Sequence, residues 1–445
     1  MEYVIMIGQL MLSLSFLIIL HEMGHFFPAR LFGTRVEKFY LFFDAGFSLF
    51  KYKKGETEYG IGWLPLGGYV KISGMIDESF DTEQMEQEPQ EWEFRSKPAW
   101  QRLIIMLGGV TVNFILGFFI FAMIYWAYGE EYLPAKNAEF GIHADSLGVD
   151  MGLQNGDDII AIGSQPFERF SDRELVRAIV IDGVNEMTIE RAGAQFKLPI
   201  DEKYVKILSS SENKGARVFV PRVPFVIGEL LKDNPAEQAG LEVNDSIMAL
   251  NGQPIQFFDQ FFEQVKKMPN QEILLTVMGE NGKAREVRLT TTKGGTIGVR
   301  PFGARRYFEL DKIDYILAEA LPAGTIRGWT FLSDQVKAFG RIFTGDIAAK
   351  DSLGGFASIG TMFGTEWNWE RFWTMTAILS LILAFMNLLP IPALDGGHVM
   401  FLLYELVSGR KPSDKFMEYA TMVGFVLIIA LMLYANGLDV VRGCN

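Results

Sequence analysis

Four long apolar stretches divide the chain and predict its architecture. They run over about 3–27, 103–128, 372–394 and 419–438, and each approaches or exceeds the roughly 20 residues that carry a helix across a bilayer. One such stretch would suit a buried helix of a soluble protein, but four together predict an α-helical polytopic membrane protein. The first stretch lacks a basic segment before it and a small-residue cleavage site after it, so we interpret it as a retained helix.

Positive charge near the helix ends predicts the orientation of the chain. Lys and Arg cluster in the segment 28–102 and in the link 396–418, whereas neither residue type precedes the first helix. Under the positive-inside rule, these two segments lie in the cytoplasm. Both termini and the long segment 129–371 are therefore predicted on the outer side of the membrane.

The outer segment contains an internal repeat. Residues 152–159 match residues 240–247 at one offset, and the match continues without a gap to residues 166 and 254. Short alternating strand patterns follow each copy. A repeat of this period is typical of two copies of a small α+β domain, not of a solenoid.

The second copy resembles a PDZ domain in the run 234–241 and in Asp245 and Asn251. The first copy departs from this pattern, with Leu147 where the second has Pro235. Such domains add a bound peptide as a strand to a sheet edge. We therefore expect an N-terminal membrane half at 1–128, PDZ domains at 129–215 and 216–302, amphipathic linker helices at 303–371 and a C-terminal membrane half at 372–445.

Two helical patterns, at about 311–320 and 324–343, occupy the linker. The second places apolar residues on one face among charged ones, which suits a helix lying on the membrane surface. An ordinary helix docked on the protein fits the pattern nearly as well.

Charge and rare residues narrow the possible functions. A formal net charge of −13 argues against a nucleic-acid partner, because phosphate binding needs clustered Lys and Arg. The single cysteine, Cys444, excludes an internal disulfide framework. The chain has only four histidines, and two of them fall within one motif.

That motif is His-Glu-Met-Gly-His at residues 21–25, at the inner end of the first apolar stretch. On a helix, His21 and His25 share one face and can bind one zinc ion, while Glu22 can act as the general base on water. The alternative is a pair of core histidines. The position weighs against it, because ionisable side chains at membrane depth are costly and usually functional.

A third zinc ligand is expected, because catalytic sites usually have three protein ligands and an open position. The third apolar stretch ends near Asp395 and His398, which both lie at the predicted depth of the histidine pair. Either side chain could complete the site. Pro390 and Pro392 break the helix just before them, and the freed backbone suits an extended substrate.

These motifs resemble those of the site-2 proteases, which are intramembrane zinc metalloproteases. The run 387–396 nearly matches the family pattern Asn-x-x-Pro-x-x-x-Leu-Asp-Gly. Tandem PDZ domains between the second and third of four helices resemble the bacterial regulator of sigma-E protease branch. The resemblance implies that His21, His25 and Asp395 hold Zn²⁺ and that Glu22 activates water.

The same resemblance implies the roles of other residues. Asn387 would hold the substrate or the developing oxyanion, and Asn113, in a family motif at 109–113, would also bind substrate. His398 would be structural. The run 57–74 resembles a membrane-dipping β-hairpin that pairs with an unwound substrate strand.

The expected protein is a zinc metalloendopeptidase of the bacterial inner membrane, with its active site near the cytoplasmic side. It would cut transmembrane segments of other proteins, such as anti-sigma factors or remnant signal peptides, while periplasmic PDZ domains filter substrates. Two alternatives stay open: a membrane-anchored PDZ scaffold that does not cut, and a metal carrier that uses the same ligands.

Overall fold

The computed structural model describes residues 2–65, 67–75, 88–213 and 215–443, so Cys444 lies outside the described chain. The chain divides into two compact units. One comprises Glu130–Ile313 with Lys337–Ala348, and we call it the inserted unit. The other comprises the rest of the described chain, and we call it the membrane unit, because it contains four helices long and apolar enough to span a membrane.

The helices and strands are numbered in chain order. The α-helices are α1 Glu2–Leu31, α2 Ala99–Tyr128, α3 Ser146–Asp150, α4 Asp172–Arg177, α5 Lys203–Ser209, α6 Pro235–Gln238, α7 Phe258–Val265, α8 Leu317–Thr344, α9 Ala349–Ser352, α10 Phe356–Phe363, α11 Trp369–Leu388, α12 Asp395–Ser408 and α13 Asp414–Gly443. The strands are β1 Val36–Leu41, β2 Phe43–Lys54, β3 Thr57–Leu64, β4 Tyr69–Ile72, β5 Glu130–Tyr132, β6 Ile142–Ala144, β7 Asp158–Ile162, β8 Gln165–Pro166, β9 Glu186–Arg191, β10 Ala194–Pro199, β11 Phe219–Pro221, β12 Ile227–Leu230, β13 Ser246–Leu250, β14 Gln253–Pro254, β15 Glu272–Met278, β16 Ala284–Thr290, β17 Val299–Pro301 and β18 Asp311–Ile313.

The four predicted apolar spans are confirmed as the helices α1, α2, α11 and α13. The predicted end of the third span was wrong, because α11 ends at Leu388 instead of 394. Leu389 adopts an extended backbone conformation. The reason is Pro390, since a proline disfavours helical geometry in the residue before it.

Helices α1 and α2 cross at two glycines. A Cβ atom on Gly108 would lie 1.9 Å from the carbonyl oxygen of Gly24, and one on Gly24 would lie 2.5 Å from the carbonyl oxygen of Gly108. Small residues allow such close approach of two membrane helices. This crossing brings the backbone of α2 directly against the residue 21–25 motif.

A four-stranded sheet follows α1, with the order β2-β3-β1-β4. The predicted hairpin at 57–74 was wrong, because β3 and β4 lie on opposite sides of β1. The hairpin is formed by β2 and β3, and it closes at Gly55, whose φ is +64°. The sheet is arranged this way because Val36 and Tyr40 of β1 are fully buried, which gives β1 an inner position.

One helix, α8, occupies the region where two helical patterns were predicted. The first of those patterns was wrong at its start, since β18 covers Asp311–Ile313. Helix α8 continues across Pro322, with Ala320, Gly324 and Gly328 buried on one face. A Cβ atom on Gly324 would lie 2.2 Å from the backbone nitrogen of Ala122, so this small-residue face packs closely on α2.

The inserted unit contains two four-stranded sheets with the same strand order. They read β8-β7-β9-β10 and β14-β13-β15-β16. In both, the first two strands of the repeated sequence pair as a short hairpin. The repeat found in the sequence therefore coincides with a repeated topology among the described residues.

Each copy also buries an aspartate that pairs with an arginine. Asp157 accepts a hydrogen bond from Arg191 at 2.6 Å, and Asp245 accepts one from Arg285 at 2.6 Å. Each carboxylate also accepts the backbone N–H three residues before it. The segment Glu130–Ile313 begins and ends side by side, because β5 and β18 pair antiparallel.

The glycine crossing gives a stability prediction. We expect Gly108→Ala to destabilise the protein by about 1–3 kcal/mol, because the added methyl group meets backbone atoms that cannot move separately. Thermal unfolding in detergent measures this as a lower midpoint. The matched control is Gly8→Ala in α1, where an added Cβ meets nothing within 4 Å. Equal midpoints for the two variants would contradict the prediction.

Candidate metal centre

Three side chains that can bind a metal converge within the membrane unit. They are His21 and His25 of α1 and Asp395, the first residue of α12. The Nε2 atoms of the two histidines lie 3.2 Å apart. Asp395 Oδ2 lies 3.3 Å from His21 Nε2 and 3.4 Å from His25 Nε2.

These separations fit one tetrahedral zinc ion. With metal–ligand lengths of 2.0–2.1 Å, two ligands of a tetrahedral site lie about 3.3 Å apart. In addition, Asp395 Oδ2 is buried and has no hydrogen-bond partner among the residues that the structure describes. The donor set of two imidazoles and one carboxylate is one that catalytic zinc sites use.

A tight turn brings Asp395 to the two histidines. Between α11 and α12 the chain passes through Ala393, whose φ is +80°, a strained conformation for a residue with a side chain. A Cβ atom on Gly396 would lie 2.2 Å from the carbonyl oxygen of Leu389. The glycine after Asp395 is therefore required for this turn.

Glu22 lies beside the cluster and next to the sheet. Its side chain is buried, and its carboxylate is close enough to interact electrostatically with His21, His25 and Asp395. A Cβ atom on Gly68 would lie 3.4 Å from Glu22 Cγ. Gly68 immediately precedes β4, which is an edge strand of its sheet. Among the described strands, one edge of this sheet thus begins beside the Glu22 carboxylate.

Both asparagines predicted to bind substrate lie next to His21. The Asn387 side-chain nitrogen is 3.4 Å from His21 Nε2, the atom that faces the other candidate ligands. The Asn113 side-chain nitrogen is 3.3 Å from His21 Nδ1, on the other side of the ring. Asn113 is fully buried. The structure brings both residues to the centre, and their roles stay predictions.

His398, the other candidate third ligand, is not part of the cluster. It lies one turn after Asp395 on α12 and lines a small cavity of about 40 Å³ with Arg102 and Glu405. Arg102 and Glu405 form an ion pair at 2.5 Å that joins α2 to α12. The geometry therefore favours Asp395 over His398 as the third ligand.

Sequence reasoning missed two groups on α2. The carbonyl oxygen of Ile105 lies 2.8 Å from His25 Nδ1, and a backbone carbonyl has no signature in the sequence. Gly109 leaves the space that the imidazoles occupy, since its Cβ would lie 2.3 Å from His25 Nε2 and 2.7 Å from His21 Cε1. The glycine of the 109–113 motif was a signal for this close approach.

Two variants of α12 separate the candidate ligands. We expect Asp395→Ala to lower zinc affinity at least about tenfold, because it removes an atom of the cluster, and His398→Ala to leave zinc affinity unchanged. Zinc per chain, measured by metal analysis after dialysis against a graded chelator, distinguishes them. Thermal unfolding checks that both variants fold. Loss of zinc in His398→Ala alone would reverse the assignment.

Comparison with known proteins identifies the family. The pattern of Peptidase family M50 matches residues 9–431. A regulator of sigma E protease from Haemophilus influenzae is 27% identical over 463 residues, covering 99% of this chain and 100% of that protein. The regulator of sigma-E protease RseP from Escherichia coli is 27% identical over 96% of each chain. A Vibrio cholerae relative whose name includes the words zinc metalloprotease is 28% identical over 97% of each chain.

The family match covers most of the chain, and the predicted resemblance to site-2 proteases is confirmed. Zinc as the metal is likewise confirmed by the family and by the name of the Vibrio cholerae relative. The protein belongs to Peptidase family M50 and is a zinc metalloprotease.

Proposed function

We propose that this protease cuts peptide bonds within transmembrane segments of other proteins, at a centre formed by His21, His25 and Asp395. One observation carries the proposal: His21 and His25 lie on α1, and Asp395 follows α11 after a short turn, and both helices are long and apolar enough to span a membrane. A metal centre held in this way by spanning helices can act on chains that share the bilayer with it.

Each residue of the centre has its own role in peptide-bond hydrolysis. When bound, zinc supplies a Lewis acid that polarises the peptide carbonyl and lowers the pKa of the attacking water. Glu22 accepts the proton from that water and delivers it to the leaving amide nitrogen. The amide group of Asn387, beside His21, donates a hydrogen bond to the oxyanion as charge develops.

The substrate lies along β4 as an extended strand. An α-helix hides its carbonyls in internal hydrogen bonds, so a segment has to unwind before it can react. Strand β4 is a sheet edge and begins next to Gly68, close to Glu22. The side of β4 that faces away from β1 can receive the unwound segment by adding a strand to the sheet.

The inserted unit acts as a filter on the outer side of the membrane. Its two sheets of equal strand order support the interpretation as two PDZ-like copies. The orientation follows the distribution of Lys and Arg, which leaves segment 28–102 in the cytoplasm and the inserted unit outside. Substrates with a large outer domain are excluded, and substrates already trimmed pass.

The substrates are single-span membrane proteins that remain after such trimming. Two relatives carry names that state regulation of sigma E, which supports an anti-sigma factor as one class. Remnant signal peptides have the same architecture as a trimmed single-span protein, with one apolar helix and a short outer segment.

The central test compares wild type with Glu22→Gln in cleavage of a single-span test protein, with bound zinc measured in both. We expect cleavage to fall about a thousandfold or more while zinc is retained, because the amide cannot accept the proton although it keeps the side-chain shape. Glu56→Gln, an exposed change on the β2–β3 turn, is the matched control.

The remaining outcomes separate the alternatives. A non-cutting scaffold would show no zinc-dependent cleavage and no effect of Glu22→Gln. A metal carrier would transport zinc without cutting. Either result would overturn the proposed function.

The filter has its own test. Deleting residues 134–302 leaves β5 and β18 able to pair as a hairpin, since Glu130 and Ile313 are register partners. We expect the deletion variant to cut intact and trimmed forms of one substrate at similar rates, whereas the complete protein prefers the trimmed form. Competition between the two forms in one vesicle preparation measures the ratio. An unchanged preference would remove the filter from the proposal.

A further inference from the structure

We propose that Asn113 is a positioning residue for the metal centre: its amide oxygen accepts a hydrogen bond from His21 Nδ1–H, and Ser380 holds it in place. This inference rests on the proposed zinc site. Its structural basis is one face of α2, where Ile105, Gly109 and Asn113 follow each other at a spacing of four and lie against both imidazoles.

The first of these contacts sets the proton position on His25. Its Nδ1 atom lies 2.8 Å from the carbonyl oxygen of Ile105, and both atoms are buried. A carbonyl oxygen only accepts hydrogen bonds, so Nδ1 carries the proton. Nε2, which faces Asp395 and His21, is then left with its lone pair free for a metal.

His21 needs the same proton arrangement. Its Nε2 atom is the one within 3.3 Å of Asp395 and 3.2 Å of His25, so Nε2 is the ligand atom. The proton therefore belongs on Nδ1, and Nδ1 requires an acceptor. The terminal group of Asn113 is the group that lies against Nδ1, with its nitrogen at 3.3 Å.

The orientation of the Asn113 amide follows from donor and acceptor matching. With its nitrogen toward Nδ1–H, two donors would face each other. In that orientation Asn113 Oδ1 is also buried without a hydrogen-bond partner among the described residues. A 180° rotation of the terminal amide group exchanges the positions of its oxygen and its nitrogen. The turned amide points Oδ1 at Nδ1–H and removes the donor–donor conflict at His21, while the amide nitrogen takes the position that Oδ1 held.

Ser380 holds the backbone of the residue that carries this amide. Its hydroxyl group donates a hydrogen bond of 2.7 Å to the backbone carbonyl oxygen of Asn113, from α11 to α2. Both residues are fully buried. A side chain enclosed in this way between helices is suited to orienting a ligand, and it differs from Asn387, whose amide nitrogen lies near the ligand atom Nε2.

Outer hydrogen bonds of this kind fix ring orientation and the tautomer of a metal-binding histidine. Their removal typically weakens metal binding by about ten- to a hundredfold. The inference therefore reassigns Asn113 from substrate binding, as the sequence predicted, to holding His21 in its metal-binding form.

Two substitutions of Asn113 distinguish these roles in the full-length protein. Asn113→Leu keeps the approximate volume and removes every polar atom, whereas Asn113→Asp keeps an acceptor oxygen. Zinc affinity is measured by competition with a chromophoric chelator. We expect Asn113→Leu to lose about ten- to a hundredfold in zinc affinity and Asn113→Asp to stay within a few-fold of wild type.

Asn436→Leu is the matched control, because it also removes a polar amide that joins two helices: Asn436 of α13 accepts a hydrogen bond from the Phe356 N–H of α10 and donates one to the backbone oxygen of Met432. We expect it to keep the zinc affinity of wild type. At saturating zinc, the KM of Asn113→Leu for the test protein stays at the wild-type value, because Asn113 does not touch the substrate. A rise in KM with unchanged zinc affinity would restore the substrate-binding role and overturn the inference.

A measurement on the unmutated protein covers the case in which a variant fails to fold. The chain has only four histidines, so ¹⁵N-histidine labelling of the zinc-loaded protein yields few ring signals. We expect a one-bond ¹⁵N–¹H coupling at His21 Nδ1, which shows that this nitrogen carries the proton. A ring with its proton absent from Nδ1 would overturn the inference. A wild-type chain that binds no zinc would overturn the proposed function as well, whereas full zinc binding by Asn113→Leu overturns this inference alone.

Discussion

The close crossing of α1 and α2 is the constraint on which the metal centre depends. Gly24 lies between the two histidines of the motif, and its backbone touches that of Gly108. Because the helices meet at this point, the imidazoles on either side of Gly24 have to lie against the surface of α2. Gly109 provides the room, and the carbonyl of Ile105 provides a partner for His25. A wider crossing would separate both rings from the groups that orient them.

The second constraint is the turn that carries the carboxylate. Asp395 does not belong to the helix that spans the membrane but begins the next one. The turn holds Ala393 at a positive φ and requires backbone contact at Gly396. It is also covered by α13, where a Cβ on Gly424 would overlap the carbonyl oxygen of Pro392. Packing on both sides holds the strained backbone, and the carboxylate therefore has one position relative to the histidines.

The sequence predicted those features that follow from local spacing. The four spans follow from their length and apolarity, and the pairing of His21 with His25 follows from one helical turn. The sequence alone did not decide whether Asp395 or His398 is the third zinc ligand, because both residues lie just after the third apolar stretch. It depends on where the chain turns after Leu388, and this turn is determined by contacts with other helices.

Apart from the end of the third span, which Pro390 sets locally, the errors arise from contacts between segments distant in sequence. The run 57–74 contains two strands, but whether they pair depends on β1, whose buried residues give it the position between them. Helix α8 continues across Pro322 because its small residues pack on α2, a contact that no local pattern indicates. The acceptor carbonyl of Ile105 was missed for the same reason.

The position of the sheet edge bears on how the proposed substrate is selected. In the hydrocarbon region an unsatisfied backbone group costs several kcal/mol, so a helix in lipid does not unwind without new partners. In the proposed function strand β4 offers such partners, and it begins next to Gly68, close to the buried Glu22. Pairing along this edge involves the backbone and places few demands on side chains. Under the proposed function, the centre would therefore select substrates by how readily the bound segment unwinds, ahead of the residues that flank the cut.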